Sequence, residues 1–237
     1  MKLQELVDEL RENVLRDISD AVNTDADSYL LSDKSLVRYL NEAQERFADK
    51  TQCLRDESTP AVTRITLVHG VDSYALDPRV VAVLGARTRQ RHLRLRPYGS
   101  IVTTRGNFNT GYPLDTSVSD GSPTYYYTDR ETGKIGLWPA PNPDFALNEL
   151  VLRVARLPIK SLVVEDLSAV PEIPSQYHMS LVDWAAYRCL TNSDIELQDQ
   201  IKANSRKNRF NETVEELKKD AKRLMLNEIA FDVTSWR

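Results

Sequence analysis

Residues 170–194, VPEIPSQYHMSLVDWAAYRCLTNSD, decide how the chain is read. Leu181, Val182, Ala185, Ala186, Cys189 and Leu190 recur at helical spacing and make an apolar face wide enough for burial between other helices. Pro174 suits the first turn, where its missing N–H is no loss. The stretch also holds His178, Asp183, Cys189 and Trp184, residue types that build active sites. Spacing removes a Cys–His pair: on one helix, residues 178 and 189 lie about three turns and ~16 Å apart. Cys189 therefore reads as a small buried apolar residue. Trp184 reads as an anchor against neighbouring helices.

Helices are expected on both sides of this stretch in the sequence. After it, Ser193 and Glu196 have the spacing of a capping box. Phe210, Val214, Leu217, Ala221 and Leu224 then alternate four and three residues apart, the seam of a helix lying along others. Near the N-terminus Leu3, Leu6, Val7, Leu10, Val14, Ile18 and Val22 make one amphipathic stripe. Ser32 followed by Asp33 predicts an N-cap, and Leu36, Leu40, Ala43 and Phe47 form a second stripe.

Between these helices the period changes. AVTRITLV (61–68), HG and VDSYAL (71–76) read as a hairpin, and RVVAVLGARTRQ (79–90) begins as a buried strand. A short helix is expected near YGSIVTT (98–104), followed by a long loop around residues 103–123. TYYYT, KIGLWP and ELVLRVARL are three more strands, with DRETGK turning between the first two. The predicted fold is α+β, an α-helical bundle with a β-rich insertion. Residues 1–57 form the first helical part, 58–171 the insertion, 172–226 the second helical part and 227–237 a C-terminal extension.

Composition narrows the function. The 237 residues are 41% hydrophobic and 28% charged, as expected of a soluble globular chain able to bury a real core. A net charge of −4 confines any polyanion-binding role to a local patch. Two distant cysteines, Cys53 and Cys189, argue against a disulfide scaffold or a Cys-based zinc site and for a reducing compartment. The charged N-terminal segment has no signal-peptide core, and no apolar run approaches the ~20 residues of a membrane span.

No nucleotide-binding, nucleophile-elbow or zinc-protease motif occurs, and His69, His92 and His178 have no second ligand at metal spacing. Glu165, Asp166 and Glu172 read as solvated or dipole-favouring acids before a helix rather than paired catalytic carboxylates. We therefore expect no enzyme, no cofactor and no metal. In GARTRQRHLRLRP, Arg87, Arg89 and Arg91 share one strand parity, and Arg94 and Arg96 follow on a second short segment. Such a row contacts a partner, protein or DNA, or covers apolar surface with its stems. No helix-turn-helix, zinc-finger or aromatic-ladder signature marks sequence-specific DNA reading. The tyrosines of TYYYT and the Trp of GLWP read as half core, half surface. The ending AFDVTSWR loses the helical period and is apolar and aromatic, which favours docking into a partner.

Five segments occur in order: LSDKSLVRYLNEAQERFADKTQCLRDES, VTRITLVHGVDSYALDPRVVAVLGAR, GKIGLWPAPN, VPEIPSQYHMSLVDWAAYRCLTNSDIE and FNETVEELKKDAKR. This series resembles the head-to-tail adaptor, or head completion, proteins of tailed bacteriophages, especially the larger adaptors of short-tailed phages. The resemblance covers roughly residues 30 to 222. It implies a structural virion protein at the head–tail junction, made in the host cytoplasm. Such proteins form a ring, typically a dodecamer, beneath the portal protein, and join it to a tail nozzle or hub while DNA passes through the lumen during ejection. By position, Phe231, Val233, Trp236 and Arg237 would dock into the portal. Arg87, Arg89, Arg91, Arg94 and Arg96 would meet a neighbouring subunit or the tail. A head-to-tail ring needs two different complementary patches, which the Arg run and VEDLSAVPE (164–172) offer. A mildly acidic wall also suits a conduit along which DNA slides. The alternatives are a DNA-binding or DNA-retaining protein using the Arg-rich strand and, from a third class, a cell-wall hydrolase.

Overall fold

The computed structural model describes residues 1–15, 31–89, 91–105, 120–191 and 199–234. Its helices, in chain order, are α1 (Leu3–Glu9), α2 (Asp33–Thr51), α3 (Pro60–Thr63), α4 (Tyr98–Arg105), α5 (His178–Leu190) and α6 (Gln200–Thr234). The strands are β1 (Arg55–Asp56), β2 (Arg64–Thr66), β3 (Ser73–Ala75), β4 (Val80–Arg87), β5 (His92–Leu95), β6 (Asp120–Gly121), β7 (Tyr125–Tyr127), β8 (Lys134–Trp138), β9 (Ala140–Pro141) and β10 (Glu149–Arg156). The fold is α+β with its strands in the middle of the chain. Two compact units form, Met1–Leu54 with Pro158–Arg237, and Arg55–Leu157.

In the first unit, the expected stripes become buried faces. Leu36, Leu40, Ala43 and Phe47 of α2 are fully buried. Ser32 caps this helix by accepting from the Ser35 amide at 3.3 Å. Gln52, at a left-handed φ of 52°, ends it by donating its N–H to Ala48 O. Leu3, Leu6, Val7 and Leu10 are buried, but the period loosens where α1 continues into a π-helical turn at Leu10–Leu15. Ile18, Val22, Ser193 and Glu196 lie outside the described residues. The whole predicted face of α5 is buried, against Ala203, Phe210 and Val214 of α6 and the stripe of α2. Residues 158–171, grouped with the strands by sequence, are laced instead to α2. Asn41 exchanges two 2.8 Å bonds with the Leu162 backbone, and buried Gln44 accepts from the Glu172 amide.

A second correction concerns the C-terminus. The loss of apolar period at 227–237 does not end the helix, which runs to Thr234. Residues 200–234 hold neither Gly nor Pro, so nothing interrupts the backbone ladder.

The second unit is a mixed eight-stranded sheet ordered β1-β10-β4-β5-β7-β8-β3, with β2 also on β10. The β5–β7 pairing is parallel, and the remaining pairs of this sheet are antiparallel. Residues 61–76 do not make the expected hairpin: β2 pairs with β10 and β3 with β8. The Tyr74 hydroxyl closes the intervening turn through Val68 N (3.0 Å), Val68 O (3.1 Å) and Val71 O (3.0 Å). One sheet face is the core, built from Leu67, Ala86, Leu93, Tyr126, Leu137 and Leu152 with their neighbours. Tyr125–Tyr127 and Lys134–Trp138 pair as the DRETGK turn predicts, with Gly133 at φ 72°.

Tyr127 lies directly over Gly136 of the paired strand. A Cβ on Gly136 would overlap Tyr127 Cε2 and Cζ, and the Tyr98 ring, its centroid 5.1 Å from that of Tyr127, packs against the same tyrosine. Gly136→Ala should therefore destabilise this unit by about 1–3 kcal/mol through overpacking. Urea titration checks it, and an unshifted midpoint would contradict it.

Candidate interaction surfaces

The Arg run folds as a hairpin, which separates its members. Thr88 N donates to Arg91 O at 2.9 Å and Arg91 N to Thr88 Oγ1 at 3.4 Å, closing a turn between β4 and β5. Arg87 ends β4, whereas Arg89 and Arg91 sit in the turn. The three therefore do not form the strand row that parity predicts. Arg94 lies on β5 and Arg96 just beyond it, and all five arginines are exposed.

Strand pairing assembles a different row from distant segments. Arg64, Val151, Arg87 and His92 are register partners across β2, β10, β4 and β5. Two residues along, Arg153 faces Gly85, and Arg94 faces Tyr125, which faces Trp138. Register partners point to the same side, so these residues share the sheet face opposite the apolar core. Sequence reasoning missed Arg64 and Arg153. The alternation of ELVLRVAR puts Glu149, Val151 and Arg153 on one parity, but only strand register sets that parity beside Arg64 and Arg87.

The face is basic but internally dressed. Arg87 Nε donates to Glu57 Oε1 at 2.8 Å and Arg64 to Glu149 at 2.7 Å. The Arg96 guanidinium lies 4.2 Å from the Tyr125 ring centroid, a cation–π contact. Among the described residues, Arg89, Arg94 and Arg153 make no ion pair. The Arg55–Leu157 unit holds 13 Lys/Arg against 10 Asp/Glu, a formal +3. The other unit holds 18 against 25, a formal −7, and the two account for the chain's −4.

The residues that suggested chemistry have structural partners. His178 is buried near the start of α5. Its Nε2 lies 2.8 Å from Ile173 O and its Nδ1 2.9 Å from the Met1 amine. Burial, then the neighbouring ammonium, lowers its pKa. Asp183 accepts from Arg206 at 2.8 Å, tying α5 to α6. Cys189 is fully buried on the same helix as His178, and burial pushes its thiol up to about 12, far from a reactive thiolate. Glu172 accepts from Ile159 N and Lys160 N at 2.8 Å each and so organises a turn.

Among the described residues, no three His, Cys, Asp or Glu side chains gather as a metal site, and no helix is long and apolar enough to cross a membrane. Of the C-terminal residues, Phe231 and Val233 fall on the last turns of α6, while Trp236 and Arg237 lie outside the described residues.

Two comparisons bear on these surfaces. Residues 1–229 match the family described as SU10 adaptor protein, a match that spans both units and stops short of Phe231. No curated protein matches the chain.

Proposed function

Because the chain belongs to the SU10 adaptor protein family, we propose that it is a head-to-tail adaptor that forms a ring, a dodecamer, beneath the portal of a tailed phage. The ring joins the portal protein to a tail nozzle or hub protein and leaves a lumen through which DNA passes at ejection. The protein is then a structural component of the virion at the head–tail junction, synthesised in the host cytoplasm, and it performs no catalysis.

The observation that carries this reading is the extent of the family match, which takes in the helical unit and the β-rich unit together. A charge-divided chain supports it, since one basic and one acidic unit suit repeated contacts between unlike surfaces. The C-terminal residues Phe231, Val233, Trp236 and Arg237 are the portal-docking segment. The apolar and aromatic character of the segment supports that role, as does the place of Phe231 and Val233 on the last turns of a 35-residue helix that reaches about 50 Å.

Electron microscopy of the purified chain, alone and mixed with portal protein, tests the proposal. Rings seated on the portal are expected, and deletion of residues 227–237 should remove the seating while leaving the two units folded. Absence of rings in both samples would overturn the adaptor reading. A truncated chain that joins the portal as well as the full chain would overturn the docking segment alone.

A further inference from the structure

We infer that the basic sheet face of Arg55–Leu157 seats against an acidic edge on a second copy of this chain, formed by residues 163–170 and the exposed side of α1. The inference deepens the ring reading above and rests on it.

Both surfaces are open in a single copy. On the basic side Arg64, Arg87, Arg94, Arg96 and Arg153 are exposed around half-buried Tyr125. On the acidic side Glu165 and Asp166 are exposed, flanked by Val163, Leu167 and Val170, which expose 47%, 41% and 57% of their surface. Exposed branched side chains at this density on one short stretch are surface left for a partner. The edge is held rigidly, because Leu3 N donates to Ala169 O at 2.8 Å and Gln4 N to Leu167 O at 3.0 Å. These bonds join it to α1, whose exposed side brings Glu5 and Asp8, with Glu12 in the following turn.

Charge complementarity selects the occupant. The opposed +3 and −7 of the two units let copies attract head to tail while like faces repel, the asymmetry a closed ring requires. Arginine, planar and weakly hydrated, pairs bidentately with carboxylates, and its stems cover apolar neighbours. A DNA backbone fits the face less well. Glu57 and Glu149 stand among the arginines as ion-pair partners, and a chain of net −4 repels a polyanion overall. A partner of interspersed carboxylates and apolar side chains matches the interspersed pattern of the face.

Charge reversal in the full chain tests this, with ring assembly on the portal read by electron microscopy and sedimentation. R94E/R153E and E165R/D166R change exposed side chains outside both cores. Each pair alone should lower the assembled fraction by about tenfold or more, a loss of roughly one Kd decade at the contact. Combining all four should restore assembly. R94Q/R153Q should give a smaller fall in the same direction, which keeps the test readable where a reversed pair fails to fold. Reversals that leave assembly unchanged would overturn the inference while the ring reading stands. An R94E/R153E chain that assembles normally but loses salt-dependent duplex DNA binding would assign the face to DNA instead. If the parent chain forms no ring, both readings fall.

Discussion

Phe210→Ala should unfold the helical unit at a much lower denaturant concentration than the parent, a loss of about 3–5 kcal/mol. Phe210 is fully buried on α6 and stands where three helices meet. Its ring is 6.0 Å from Phe47 of α2 in an edge-on arrangement and 5.1 Å from Trp184 of α5. Phe47 continues the cluster to Tyr177 at 5.4 Å, and Trp184 continues it to Tyr187 at 5.1 Å. Alanine removes the ring around which these contacts are arranged, and the helices can close such a gap only in part, so a cavity remains. Two aromatic pairs, each worth about 0.5–1.5 kcal/mol beyond area burial, disappear with it. Trp184 also donates to Glu42 at 3.2 Å and lies under Arg46 at 4.2 Å, so its environment reports on the helical unit. Trp184 fluorescence in a W138F/W236F background would follow the transition. Phe210→Leu should cost distinctly less because most of the volume is kept. A Phe210→Ala midpoint within error of the parent would show that α6 does not depend on this packing.

The helices were legible because their signals are local. The apolar faces of α2 and α5, the Ser32 cap and the seam through Phe210 and Val214 each depend on residues within a few turns. Strand order was not legible, because pairing is decided by residues far away in sequence. Residues 61–76 carry two alternating runs around HG, the pattern of a hairpin. Yet each run finds a distant partner, and a tyrosine hydroxyl holds the turn between them. Parity failed at Arg87, Arg89 and Arg91 for a local reason, the Thr88 turn that ends β4. Arg64 and Arg153 could be added to the basic face only through register. The C-terminal segment misled because an apolar stripe reports what a helix packs against, not where its backbone ends.

Asp56→Ala should destabilise the β-rich unit by about 3–5 kcal/mol, because it removes the carboxylate charge that faces a largely buried guanidinium and takes the acceptor away from the Ser58 and Thr59 donors. Asp56 stands just inside the point where the chain enters this unit, and Arg156 just inside the point where it leaves. Asp56 Oδ2 accepts from Arg156 Nε at 2.7 Å, with side-chain exposures of only 5% and 14%. The same oxygen accepts from Thr59 Oγ1 at 2.7 Å. Oδ1 accepts from Ser58 N at 2.8 Å, Ser58 Oγ at 3.0 Å and Thr59 N at 3.1 Å. One carboxylate thus fixes β1 beside β10 and aligns the turn into α3. Burial alone would raise its pKa, but the bonds from Thr59, Arg156 and Ser58 outweigh it and hold the group well below the usual carboxylate range. The sign of the pH dependence follows. The unfolded chain binds this proton near pH 4 and the folded chain only at lower pH, so between those values the unfolded state holds more protons. The stabilisation is therefore present above about pH 4 and is lost as pH falls toward the folded value. Denaturant midpoints followed by Trp138 fluorescence should be level from neutral pH to about pH 5 and then fall. In Asp56→Asn, which keeps acceptor oxygen but not charge, the acid-side fall should be shallower and the starting stability lower. If Asp56→Asn reproduces the parent's acid profile at full height, Asp56 is not the carboxylate that closes this unit.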